Sequence, residues 1–525
     1  VSNLFIDTLK KPIRFILLVF SLLILGFSLF YSSGIENKTV VLLTEVAGWS
    51  GIIGTFWEFF WNIRLEEYRK FAPFALMCSS IIFIYTICRQ VKDTLLISAI
   101  GSEGSTMAKV FVMLFAFIYF KYYYSKLSRK VDYKQYLLVA ALPILIYYFV
   151  FNFFLMDNCL IVPSAETIVK WKTSVPMLSR VFDLISIWPV TLYYILSEIF
   201  AAAVTSTVFW QLANRFCNSD ERSRFYPALM IISQIASLIT GVITKSLCSA
   251  KNSNYSVVVN KITIIVLILG VVLFITNWFL FKYGVSESDL QETKKKEKSE
   301  GGFSSLWKEN PKYVLVAFLC VFYGFCSVFL EQFWKDKIRI MFIDKISYGR
   351  FMGSYIILQS RVALLVSMFI SNLFMRYSSW FWFAALTPLL TVVGALILFS
   401  PFVFPAVGSI VPGLEPIALV CYAGMWVIGF FKSFKYGSFD PSKEEYIAQQ
   451  ESFKREIKNL EGSLNRVGKC GGSVIMAIIF SMMPGLSYKS TSVAVGLGVA
   501  TFVFGIAWLF SVLLISRDVK PRTIT

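Results

Sequence analysis

The sequence predicts an all-α, polytopic membrane protein with twelve core transmembrane helices in two six-helix halves. Three observations predict it. Of 525 residues 57% are hydrophobic and only 16% charged, with a mean hydropathy of +0.67, a balance foreign to water-soluble domains. Apolar stretches of about 20 residues, each able to cross roughly 30 Å of hydrocarbon, recur from end to end. Basic residues collect in alternate short loops.

Residues 1–71 form an extension ahead of the core. Residues 15 to 31 are an apolar run after Lys10, Lys11 and Arg14, readable as a signal sequence, an extra span or an interfacial helix. A lone span there puts Arg64, Arg69 and Lys70 outside, against the positive-inside rule. A crossing or re-entrant pair completed by residues 39 to 61 avoids this, despite Glu45 and Glu58.

The amino-terminal half, residues 72–283, carries spans near 72 to 91, 105 to 125, 135 to 156, 184 to 214, 225 to 247 and 259 to 281. The segment 284–311 is polar, lysine-rich and glycine-containing, and reads as a flexible linker. The carboxy-terminal half, 312–516, carries spans near 312 to 332, 350 to 374, 379 to 402, 415 to 436, 464 to 486 and 491 to 516; residues 517–525 form a tail.

Loop charges test that numbering. Lys126, Arg129, Lys130 and Lys134 fall between spans 2 and 3; Arg215, Arg222 and Arg224 between spans 4 and 5; Lys294, Lys295, Lys296 and Lys298 in the linker. Arg376, then Lys454, Arg455 and Lys458, then Arg517, Lys520 and Arg522 continue the pattern. All lie on one side, which the rule makes cytoplasmic, so both core termini are expected there. The loop between spans 7 and 8 breaks the rule with Lys335, Lys337, Arg339, Lys345 and Arg350.

A net charge of +18 is explained by this orientation signal, and no nucleic-acid partner is expected. Nine cysteines without a C-x-x-C pair, and no histidine, argue against a zinc site, a disulfide framework, a histidine proton relay or a Ser-His-Asp triad. No metal or cofactor is expected. Proton coupling would have to use carboxylates.

An ionisable side chain at membrane depth costs a few kcal/mol and needs a partner or a watery cavity. Arg89, Lys92 and Asp93 end span 1; Lys109 is in span 2 and Glu198 in span 4; Glu331 and Lys335 end span 7; Arg361 is in span 8; Lys432 and Lys435 end span 10. Spans 1 and 7 hold equivalent places and both finish in Lys-Asp, at Lys92-Asp93 and Lys335-Asp336. That echo fits an internal repeat with a site between the halves. Each Lys or Arg near a helix end also has a plain reading, snorkelling to the headgroups. A cavity of both signs but richer in cations suits an anionic solute. For a polyphosphate, several cations must meet the phosphates while the base stacks, and Trp210 and Trp334 are the candidate base contacts. The stretch GSLNRVGKCGG, 462–472, has five residues between its glycines and ends Lys-Cys, so it is not a P-loop. Its glycines suit close helix packing or a hinge.

Ordered motifs then resemble a known family: FFW at 59–61, R-x-x-KDTL at 89–95, SEIF and FWQLAN between 197 and 214, RFY at 224–226. YG and LEQFWK follow at 323–335, FMG at 351–353, KSFKYGSFDPSKE at 432–444 and RVGKCGG at 466–472. The chain resembles the nucleotide transporters, or ATP:ADP antiporters, of obligate intracellular bacteria and plastids, which are distinct from mitochondrial carriers. The resemblance implies a fold similar to the major facilitator superfamily, nucleotide exchange across an inner membrane, and roles for Lys92, Glu198, Glu331 and Lys432 or Lys435. After FDPSKE this chain reads EYIAQQES, departing from the family's usual run.

The expectation is a monomeric ATP/ADP exchanger with Lys92, Lys109, Lys335, Lys432 and Lys435 as phosphate ligands, and with Arg89, Arg361, Trp210 and Trp334 also lining the site. Asp93, Glu198 and Glu331 are the coupling candidates. Proton-coupled uptake of several nucleotides, through Glu198 or Glu331, is the alternative. A lipid-phosphate transferase is the third reading, for which Glu444 and Glu445 are the nearest acidic pair and match no catalytic spacing.

Overall fold

The computed structural model describes residues 63–124, 132–156, 162–249, 254–285, 311–370, 379–403, 415–449, 454–483 and 485–519. The expected amino-terminal apolar segment and most of the linker lie outside the described residues. Among those described there is no strand.

Element α1, Tyr68–Ile118, is two helices joined at Gly101, which leaves helical geometry with φ 83° and ψ 176°. Only glycine occupies that region without strain. Expected spans 1 and 2 therefore meet at one residue rather than across a loop. After α2, Tyr136–Val150, the expected loop contains two short helices, α3, Ala165–Ser174, capped by Ser164, and α4, Ser179–Ser186. Helix α5, Trp188–Phe200, continues through wider π turns at Ala201–Phe209 into α6, Trp210–Phe216. Helix α7, Ser219–Leu247, starts on a reciprocal capping box between Asn218 and Glu221, and α8 is Tyr255–Phe279.

Helix α9, Pro311–Met341, runs well past its expected end. It is followed by α10, Lys345–Leu365, whose cap Asp344 accepts from the Ser347 amide. That amide holds the Asp344 carboxyl below its ordinary pKa. Next come α11, Trp380–Val403, and α12, Pro416–Phe434, which passes through a π turn at Lys435–Phe439 into α13, Asp440–Gln449. Helices α14, Lys454–Met482, and α15, Thr491–Ser516, complete the chain.

Ten helices among the described residues are long and apolar enough to cross a membrane, the first spanning Tyr68–Tyr123. In α14 the apolar run is only Cys470–Met482. The expected count of twelve is thus not reached by that measure: one long element holds the first two spans, and span 11 is apolar over half its length.

One hydrophobic core gathers residues from Phe71 to Leu280, and two others gather residues after Val314. The groups meet at the Gly101 end of α1, where Ile97 enters the carboxy-terminal core. There α7 and α10 touch backbone to backbone: a Cβ on Gly353 would lie 2.8 Å from the Lys245 nitrogen, and one on Gly241 2.9 Å from that of Ile357. Ser360 donates to Ser237 at 2.9 Å across the same seam. Gly468, in the glycine-rich stretch of α14, lets that helix reach the Cys320 carbonyl of α9, 2.7 Å from where a Cβ would stand. This is the small-residue packing expected between membrane helices.

The basic residues that broke the charge rule are helical. Lys335, Lys337 and Arg339 lie on α9. The buried Lys337 donates to the Tyr488 carbonyl at 2.8 Å, and Arg350 on α10 donates to that of Cys248 at 3.0 Å. Lys337 thus ties α9 to the turn before α15, and Arg350 ties α10 to the end of α7.

Candidate substrate-binding site

The last turns before the Gly101 break carry Arg89, Lys92 and Asp93 into the space between the halves, opposite Glu331 and Lys335 of α9. From there a chain of ion pairs crosses the molecule. Glu198 on α5 meets Lys92 at 2.9 Å, Lys92 meets Asp93 at 2.8 Å, and Asp93 meets Lys335 at 2.8 Å. Lys335 meets Glu331 at 2.6 Å. Glu331 also holds Lys432 at 2.8 Å and Arg89 at 3.0 Å. Four cations thus share three carboxylates.

Burial makes this arrangement informative. Lys92 is 2% exposed, and an ion at that depth persists only when its partners repay the lost hydration. Its ammonium also stands 3.8 Å from the centroid of the Tyr194 ring, a cation–π contact. Yet Glu198 and Arg89 remain about a third exposed, at 32% and 29%. A solvent-accessible space therefore reaches the middle of the spans. The Gly101 end is shut by Asp93–Lys335, by Ser105 on Gln332 at 2.6 Å and by Thr106 on Tyr488 at 2.9 Å, so access lies towards the opposite end.

Lys109, beyond the Gly101 break, lies within Coulombic reach of Glu331, Glu198, Lys335 and Lys92. No carboxylate among the described residues pairs with it directly. It adds a further positive charge to the cluster, as a phosphate ligand would.

Other expectations are corrected. Trp334 is 0% exposed; its indole donates to the Cys421 carbonyl at 3.0 Å and its ring packs on Tyr355 at 4.8 Å, so it holds α9 to α12 and offers no face to a base. Trp210 lies about three turns beyond Glu198 and packs on Tyr226 at 5.0 Å. Lys435 pairs with Asp440 at 2.6 Å, outside the chain of ion pairs. Arg361 is half-buried and is not a link in that chain.

Sequence reasoning passed over two tyrosines at the site. Tyr85 accepts from Arg89 at 3.3 Å and lies within Coulombic reach of Tyr436 and Glu198; Tyr436 is half-exposed. Tyr85 precedes Arg89 by one turn, a spacing visible in the sequence.

The sequence model of the TLC ATP/ADP transporter family matches residues 50–518. The chain belongs to that family. Among TLC proteins, it is 26% identical over 489 residues to ADP,ATP carrier protein 3 of Rickettsia bellii, covering 88% of this chain and 96% of that one. It is 28% identical over 466 residues to the chloroplastic ADP,ATP carrier protein 1 of Arabidopsis thaliana, covering 85% and 73%, and 27% identical over 478 residues to ADP,ATP carrier protein 1 of Chlamydia muridarum, covering 86% and 89%. The TLC chain also shares its fold with solved transporters. A bacterial homologue of the iron transporter ferroportin in an inward-facing state superposes with TM-score 0.52 at 15% identity, covering 85% of this chain and 100% of that one. The xylose transporter XylE of E. coli, partially occluded and inward open, gives 0.52 at 12% identity, covering 86% and 100%. Among the described residues the fold is accordingly helical and similar to that of these transporters.

Proposed function

We propose that the chain is a nucleotide antiporter that takes up ATP against ADP by alternating access between its two halves. The observation that carries this reading is the buried chain of ion pairs whose cations outnumber its carboxylates, reached by solvent at Glu198 and Arg89. The names of the relatives favour exchange over proton-coupled uptake.

In this reading the phosphates replace the carboxylates as counter-ions. Arg89 offers a planar fork suited to phosphate oxygens, with Lys109 and Lys432 beside it. Glu198 and Glu331 hold Lys92, Arg89 and Lys432 in place while the site is empty, preventing those cations from repelling one another. Tyr85 and Tyr436 take the place of the two tryptophans as ring contacts for the base. Lys435, clamped by Asp440, shapes the mouth without touching phosphate. ATP carries one more negative charge than ADP at neutral pH, so exchange responds to membrane potential. The chain works as a monomer, since one copy holds the complete cluster. It resides in a bacterial inner membrane with its core termini cytoplasmic, an orientation that the basic residues of alternate loops support.

The direct test is uptake of labelled ATP into proteoliposomes loaded with ADP. Equal uptake without internal ADP removes obligate exchange. Uptake that instead follows an acid exterior and vanishes in Glu198→Gln or Glu331→Gln restores the proton-coupled alternative.

A further inference from the structure

Directly over the shut end lies a second polar cavity, separate from the chain of ion pairs. Its volume is about 490 Å³, and its lining includes Glu103, Lys172, Arg180, Asp183, Arg339 and Lys489. Several elements contribute: α1 at the Gly101 break, the pair α3 and α4, the end of α9, the end of α14 and the turn before α15.

The charges there do not balance. Asp183 is satisfied within α3 and α4, by Lys172 and by Arg180 at 3.8 Å. Glu103 accepts from the Tyr488 amide at 3.1 Å. Arg339 and Lys489 line the same cavity, and neither has a carboxylate within ion-pair distance among the described residues. Asp336, one turn before Arg339, is fully buried and faces Lys337 at 3.6 Å. The Arg339 guanidinium reaches across the break in α1, where a Cβ on Gly101 would lie 2.7 Å from its Nη1 and 2.7 Å from Glu103 Oε2, so Glu103 stands near it without an ion pair, and four lining cations face two lining carboxylates. A guanidinium and an ammonium left facing an open cavity, beside two more cations already shared with one carboxylate, form a site for a multiply charged anion.

We propose that this cavity is an antechamber that binds the phosphate chain of a nucleoside di- or triphosphate at the closed end, before the halves part and admit it to the central site. The ligand class is a polyphosphate, recognised without its base: the cavity's ring-bearing side chain, Phe480, is buried at 2% exposure and packs edge-on against Tyr488. Arg339 stands on α9, two turns beyond Glu331 and one beyond Lys335, so an anion bound there acts on the helix that carries half of the central cluster. The inference deepens the exchange reading and rests on it for the identity of the arriving polyphosphate.

The test is amine-acylation footprinting of the full chain in lipid nanodiscs, with inorganic tripolyphosphate as the probe. Tripolyphosphate is expected to slow labelling of Lys489 several-fold and to leave Lys170 unchanged, since Lys170 is exposed on α3 but does not line the cavity. ATP protects Lys489 as well as tripolyphosphate does, and AMP protects it less. Arg339→Gln removes the protection and raises KM for ATP offered at that face, whereas a purely structural role lowers kcat and leaves the footprint intact. Equal slowing of Lys489 and Lys170, or protection by ATP but not by tripolyphosphate, overturns the proposal. Protection at Lys489 in a protein that takes up no ATP keeps the antechamber and sinks the exchange reading; uptake without protection does the reverse.

Discussion

Lys92 and Asp93 are neighbours in sequence, and a helix turns their side chains about 100° apart. One therefore faces Glu198 within its own half while the other reaches Lys335 in the opposite half. Lys92→Gln leaves Glu198 without its cation and Asp93 with Lys335 alone. Breaking a buried pair costs about 3–5 kcal/mol, so the expected outcome is loss of exchange together with a lower thermal midpoint in detergent. Glu331→Gln strips a shared carboxylate from three cations, whereas Glu198→Gln releases one cation at a partly exposed position. The former is expected to depress the midpoint more. Equal midpoints would mean that the cluster does not act as a unit. The cost of burying charge was enough to pick out Arg89, Lys92, Glu198 and Glu331 from sequence. It did not reveal that Lys435 pairs with Asp440, which stands five residues later, a spacing that does not face on an α-helix but does across the π turn at Lys435–Phe439. It misjudged Trp334 because proximity in sequence to Lys335 says nothing about which way a helix turns the ring.

Hydropathy located the elements and blurred their ends. It separates spans 1 and 2 by a loop where the structure has a single glycine, and it is blind to α3 and α4, whose signals are the Ser164 cap and Pro176 at the start of the turn between them. The break at Gly101 carries its own prediction. A side chain at φ 83° and ψ 176° costs about 1–3 kcal/mol, and a Cβ there also meets Arg339 and Glu103. Gly101→Ala is expected to lower the thermal midpoint, while Gly485→Ala, where a Cβ meets nothing within 4 Å, leaves it unchanged. If both variants melt like the parent, the break is not a required feature of α1. Glycines mark the seam between α7 and α10 as well, yet Gly241 and Gly353 lie 112 positions apart in sequence, so no local pattern could have paired them.

For the whole molecule, alternating access requires the seam beside Gly101 to open. Ser237 and Ser360 face each other across it at 2.9 Å between hydroxyl oxygens, close enough for a disulfide after modest adjustment. In a chain whose native cysteines are replaced by serine, Ser237→Cys with Ser360→Cys is expected to stop exchange on oxidation and to recover it on reduction. Undiminished uptake by the cross-linked protein would show that the seam stays shut throughout the cycle. The surplus of cations over carboxylates in the central cluster has one further consequence on the exchange reading. A carrier that reorients unoccupied drags uncompensated positive charge through the bilayer, at about 2.3 kcal/mol per charge for each 100 mV, besides the hydration it forfeits. A bound nucleoside di- or triphosphate more than offsets that surplus, so the vacant and the loaded carrier bear net charge of opposite sign and the membrane potential drives them in opposite directions.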